Sequence, residues 1–186
     1  MHIILYHCGA AGDMVASMID RTDYLLNEYK MVPINDRVRV VSTDYAVLDE
    51  QFRLWQTKYK CIATQDFQYV LDRNYDFIYI DSSYDDRLIE WTLRRAEKTS
   101  GSYHGYNPDL IKKQKSSSRR IKKFTDKIID IADILNGNLL ARLNQLVDCD
   151  IDTESNRIFY KQWQENALGF MNFSDIQSII GHSHHV

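Results

Sequence analysis

Residues 2–19 read HIILYHCGAAGDMVASMI, and this stretch decides the fold. HIILYH is an apolar run rich in strand formers and without alternation, the pattern of a strand buried on both faces. Gly9, Ala10, Ala11 and Gly12 follow as a tight loop. Residues 13–19 then read as helix, with Met14, Val15, Met18 and Ile19 apolar. Strand, glycine loop and helix aim backbone amides and the positive end of the helix dipole at one point, which suits a phosphate or similar anion. No Gly-Lys-Ser/Thr completes a nucleotide-triphosphate loop, and the glycines do not make the dinucleotide GxGxxG pattern. Asp13 has four possible roles: capping the helix through the amides an anion would use, repelling a phosphate as a free carboxylate, holding a metal, or orienting a substrate hydroxyl. The loop therefore stands open between an anion site and a purely structural turn.

Outward from this unit, strand and helix patterns alternate. Residues 37–41, RVRVV, residues 59–63, residues 76–81, DFIYID, and residues 127–131, KIIDI, read as strands. Residues 46–55, 65–71, 85–98, 138–147 and 153–168 read as helices. Asp85 and Asp86 at the start of the third, with Arg94, Arg95 and Lys98 at its end, complement a helix dipole. Leu88 and Trp91 form part of its inward face. Thr153 is placed to cap the last helix, which has Phe159, Trp163 and Asn166 along one side. Residues 99–108 read as a loop and residues 181–186 as a loose tail. The alternation predicts βαβ units and an α/β fold with a mainly parallel sheet flanked by helices. Ligands of such sheets bind beyond the carboxyl ends of the strands. Both the glycine loop and residues 81–84 lie there, and they face one another if their strands are neighbours.

The length of 186 residues suits one domain over the whole chain with a sizeable core. The net charge of −3 gives no general drive toward nucleic acid or an anionic membrane. Cys8, Cys61 and Cys149 are odd in number and not at metal-ligand spacing, so neither a disulfide framework nor a zinc site is expected. The first residues are too few and too little charged for a signal peptide, and no apolar run is long enough to span a membrane, so a cytoplasmic protein is expected. Charge is uneven, however: Lys112, Lys113, Lys115, Arg119, Arg120, Lys122 and Lys123 crowd into residues 112–123 without an acid. Such a local bias can bind phosphate groups or nucleic acid or close over a nucleotide cofactor, and it reads otherwise as a solvated, partly mobile loop or helix face. Few aromatics interleave with the cations, so base stacking is not suggested and a nucleic-acid partner is not expected.

The chemistry-bearing candidates cluster near the strand ends. His7 and, more weakly, His104 are candidate bases, and Asp13 is a third catalytic candidate. Asp81 ends a buried strand, Ser82 and Ser83 could contact a phosphate, and Arg87 could add a charge-assisted bond. No G-x-S-x-G or HExxH supports acyl hydrolysis or zincin chemistry.

The far end of the chain, KIIDIADILNGNLLARLNQLVDCDIDTESNRIFYKQWQENA at residues 127–167, resembles the closing segment of sulfotransferase-family proteins. In that family a strand gives an acidic-hydrophobic turn, a leucine-rich helix and a helix carrying a tryptophan and an asparagine, here Trp163 and Asn166. The resemblance implies a P-loop-like, three-layer α/β fold and a donor of the phosphoadenosine phosphosulfate type, held at Gly9, Ala10, Ala11 and Gly12. It makes residues 76–81 and the helix after them the grip on the 3′-phosphate, and a hydroxyl the acceptor. The first loop departs from the family, which carries Lys or Arg and hydroxyl residues there, so either Arg87, Arg94 or the basic segment with Lys112, Lys113 and Lys115 supplies the charge, or the fold has been reused. Three readings follow: a sulfotransferase-like enzyme, working or degenerate; a non-catalytic scaffold binding another protein or a second copy of the chain; and a nucleotide-dependent kinase or glycosyltransferase.

Overall fold

The computed structural model describes residues 1–7, 9–20, 44–57, 59–100 and 107–168. The expected strand at 37–41, Cys8, His104 and the tail at 181–186 lie outside the described residues. In chain order the elements are β1 (His2–Tyr6), α1 (Gly12–Asp20), α2 (Tyr45–Gln56), β2 (Cys61–Thr64), α3 (Phe67–Asp72), β3 (Ile78–Asp81), α4 (Asp86–Ser100), α5 (Pro108–Ile121), β4 (Ile128–Asp130), α6 (Ile131–Leu135), α7 (Leu139–Leu146) and α8 (Glu154–Leu168).

The four described strands form one sheet in the order β2-β1-β3-β4, with every pairing parallel. Successive β1 residues feed opposite faces, as the period of two requires. Ile4 and Tyr6 join a core with Met14, Met18, Leu88, Trp91, Leu139, Leu143 and Trp163. Ile3 and Leu5 join a second core with Leu48, Phe52, Tyr69, Val70, Tyr79 and Ile121. Helices thus cover both faces, giving the three-layer α/β architecture, and the unbroken apolar runs of β1 and β3 are explained by double-sided burial.

The strand after β1 joins on one side and β3 on the other, so the order of addition reverses at β1. That switch point brings the carboxyl end of β1 beside that of β3, with Tyr6 opposite Ile80.

Several local expectations change. The basic stretch is the body of α5, capped by the Asn107 side chain on the amides of Asp109 and Leu110, with Pro108 in the first turn. Residues 99–108 are accordingly not one loop, because α4 extends to Ser100 and α5 starts at Pro108. Asn166 is exposed. The buried side of α8 instead carries Asn156, Phe159, Tyr160, Trp163 and Ala167, and the Asn156 amide bonds the carbonyls of Met18 and Ile151. Thr153 does cap α8, its hydroxyl accepting from Asn156 N at 3.3 Å.

Candidate functional site

The site is built along the carboxyl edge of the sheet, where β1, β3 and β4 end side by side. At β1 the chain turns through Gly9 (φ +83°) and Ala11 (φ +65°), while Ala10 and Gly12 avoid the left-handed region. Within this turn Ala10 N donates to the His7 carbonyl at 3.0 Å, so that amide closes the turn, and an anion would be met by the amides at the start of α1. The same loop is also tightly packed. A Cβ on Gly9 would lie 1.9 Å from the Thr92 carbonyl oxygen of α4, and one on Gly12 would lie 2.2 Å from the Tyr6 ring. Ala10, Ala11 and Gly12 are buried. The Asp13 carboxylate accepts from the Tyr6 hydroxyl at 2.6 Å.

The cation that the loop lacks in sequence arrives from α4. Arg95 donates from Nη1 to the Gly9 carbonyl at 2.7 Å, and its guanidinium lies 4.7 Å from the Trp163 ring centre and 5.9 Å from that of Trp91. Stacking on two indoles fixes its direction. Arg87 and Arg94 are held elsewhere, on Asp85 and Glu90 respectively.

His7 leaves β1 toward the other face. Its ring packs on Phe67 at 4.5 Å and edge-on to Tyr79 at 6.0 Å, and its Nε2 lies 3.4 Å from the Ser118 hydroxyl. Burial lowers its pKa to about 4, only partly opposed by the nearby Asp81 charge. The imidazole is therefore neutral at pH 7 and weak as a proton acceptor. Ser118 also shares a hydrogen bond of 2.5 Å with the Tyr79 hydroxyl.

At β3, Asp81 is buried; its Oδ1 accepts from Ser83 N at 2.9 Å and its Oδ2 from Lys122 Nζ at 2.7 Å. Ser82 is fully buried and its hydroxyl is engaged by the Gln114 amide at 2.9 Å, while Ser83 lies in the turn that follows. Asp130, in register with Asp81 on the neighbouring strand, makes no side-chain cap on α6. Burial, then the charges of Asp81 and Asp133, raise its pKa to about 6, against the pull of Lys122 and Arg142. Arg142 is held by two bonds to the Ile128 carbonyl, at 3.1 and 3.0 Å.

Asp81, Tyr84, Lys122, Asp126, Ile128, Asp130, Asp133 and Arg142 line a cleft of about 570 Å³ beside β4. That volume falls within the usual range for small-molecule sites. Asp130 and Arg142 were not among the sequence candidates, because one reads as a strand residue and the other as part of a leucine-rich helix. Arg95 was hidden in the same way, as one of several terminal cations of α4. Of the expected cofactor residues, Lys112 and Lys113 are exposed on α5 and Lys115 pairs with Asp86; none lines this cleft.

Among the described residues, no group of three or more His, Cys, Asp or Glu is placed to hold a metal ion, and no helix is long and apolar enough to cross a membrane. No family model, curated protein or solved structure matches the chain.

Proposed function

We propose that the chain is a group-transfer enzyme that uses a hydroxyl acceptor, with the acceptor in the cleft beside β4 and the donor's anion at the Gly9–Gly12 loop. One observation carries this reading: the register of β1, β3 and β4 aligns the loop, the Asp81–Ser83 turn and Asp130 along one sheet edge. Strands lie about 4.8 Å apart, so β1 and β4 are separated by roughly 10 Å, a span one donor–acceptor pair bridges.

The roles follow from the chemistry of each group. The amides at the start of α1 have no carbonyl within the helix to bond, and with Arg95 nearby they suit an anion. Asp130 takes the acceptor's proton: its raised pKa puts it close to the working pH, where a general base is most effective. Lys122 and Arg142 offset the charge developing beside it. The sulfotransferase resemblance nominates an adenine-nucleotide sulfuryl donor of the phosphoadenosine phosphosulfate type.

A second reading has an observation of its own. Gly9 packs on Thr92, Gly12 packs on Tyr6, and Asp13 is engaged by the same tyrosine, so the loop also serves as helix packing, as a non-catalytic scaffold would use it.

Thermal unfolding with phosphoadenosine phosphate, phosphoadenosine phosphosulfate, magnesium ATP and nucleotide sugars separates the two. A ligand at 100 times its Kd stabilises by about 2.7 kcal/mol, roughly 5–10 °C for a chain of this size. Enzyme chemistry predicts that rise with the phosphoadenosine compounds and loss of transfer in Asp130→Asn. No shift with any nucleotide selects the scaffold.

A further inference from the structure

The helix α5 sorts its side chains into two opposed arcs. Ile111, Gln114, Ser118 and Ile121 are buried. At 100° per residue, Lys112, Lys113, Ser116, Arg119 and Arg120 fall on the opposite arc, and Lys123 follows in the turn after the helix, all exposed. The polar members of the buried arc are satisfied inside the protein, Gln114 by Ser82 and Ser118 by Tyr79, so the orientation is locked. Lys115 and Lys122, which flank the stripe, are paired with Asp86 and Asp81. The five remaining cations have no acidic partner among the described residues, and Asp109 in the first turn is the one acid within α5.

We infer that this face of α5 docks the phosphate backbone of a nucleic acid. From Lys112 to Arg120 the stripe runs about 12 Å at 1.5 Å per residue, and Lys123 extends it past the helix end, long enough to follow several consecutive phosphates. Screening confines each charge to about 8–10 Å in physiological salt, so a partner at α5 senses the local stripe rather than the net charge of −3. An anionic membrane fits less well. An amphipathic membrane helix must insert its apolar face, and here Ile111 and Ile121 are committed to the core. Few aromatics adjoin the cations; Phe124, 57% exposed, stands just beyond them. Backbone contact without base readout is therefore expected. The inference is independent of the transferase reading, because it uses no residue that lines the cleft.

Fluorescence anisotropy with labelled 20-mer duplex and single-stranded DNA tests it, using the full chain. Five phosphate contacts predict a slope of about −4.5 in log affinity against log salt for the duplex and about −3.5 for the single strand, so affinity falls roughly 100–500-fold between 50 and 200 mM salt. Replacing Lys112, Lys113 and Arg119 with Ala should reduce the duplex slope magnitude by about 3. Lys112→Arg with Lys113→Arg should leave it unchanged, and circular dichroism of both variants should match the parent. Absence of binding, a slope insensitive to the alanine variant, or binding to anionic phospholipid vesicles without binding to DNA would each overturn the assignment.

Discussion

Asp81 and Asp130 sit opposite each other in register at the ends of β3 and β4, and among the described residues Asp81 alone of the two has a cation in contact, Lys122 Nζ at 2.7 Å. Two adjacent carboxylates in the same partly dry setting thus have different fates. Asp81 is tied down by Lys122 and Ser83 N, and its charge helps raise the pKa of Asp130. Asp81 is thus held in place by its partners, while Asp130 is the group that can exchange a proton near neutral pH.

Replacing Lys122 with Met exposes the dependence of Asp81 on its partner. The Asp81 side chain is 3% exposed, against 35% for Lys122. Removing one partner of a buried pair costs about 3–5 kcal/mol, and access of water from the cleft side reduces this to roughly 2–3 kcal/mol. Urea unfolding should show that loss, and Asp81→Asn in the same background should recover part of it. A loss below about 0.5 kcal/mol would mean that the pair carries little.

His7 and Asp130 should pull the pH dependence of stability in opposite directions. The folded pKa of His7 is depressed to about 4, so its contribution is present above the unfolded value near 6.5 and is lost as pH falls toward 4. That of Asp130 is raised to about 6, so the folded state binds the extra proton, and stability declines as pH rises from about 4 to 6. Asp130→Asn should therefore be more stable than the parent by roughly 1–2 kcal/mol at pH 7. The difference should vanish below about pH 4, and the variant should lose stability more steeply on acidification. Unfolding curves across this range check both signs.

The two loop glycines should differ in their response to alanine. At Gly9 the new Cβ meets a backbone carbonyl and the φ of +83° is itself unfavourable, so Gly9→Ala should cost at least about 3 kcal/mol. At Gly12 the obstacle is the Tyr6 ring, which can shift at the expense of its bond to Asp13. Gly12→Ala should then cost about 1–3 kcal/mol. Equal, small effects at both would show that the loop is not packed as described.

The sequence makes β1, the glycine loop and α1 legible because double-sided burial leaves an uninterrupted apolar run, and β3 is legible for the same reason. The leucines of α7 announce its buried face equally plainly. By contrast, α5 offers little apolar periodicity: half of its buried arc is Gln114 and Ser118, polar groups tolerated only because Ser82 and Tyr79 meet them. Its charges alone suggested a loop as readily as a helix. The α8 face was misplaced at one position, Asn166, because the anchoring amide belongs to Asn156, whose partners are distant in sequence or in the preceding turn. The site was half legible. Strand ends marked Asp81 and the Gly9–Gly12 loop, but Arg95, Asp130 and Arg142 acquire their meaning only from neighbours that the fold supplies.

The central claim is that Asp130 is a proton acceptor poised near neutral pH in the cleft beside β4. Carbon-13 labelling of aspartate carboxyl groups, with Asp130→Asn to assign the signal, measures this directly. The account predicts a titration midpoint at about pH 6 for Asp130. A midpoint at the ordinary carboxylate value near 4 would contradict it and remove Asp130 from the proposed chemistry.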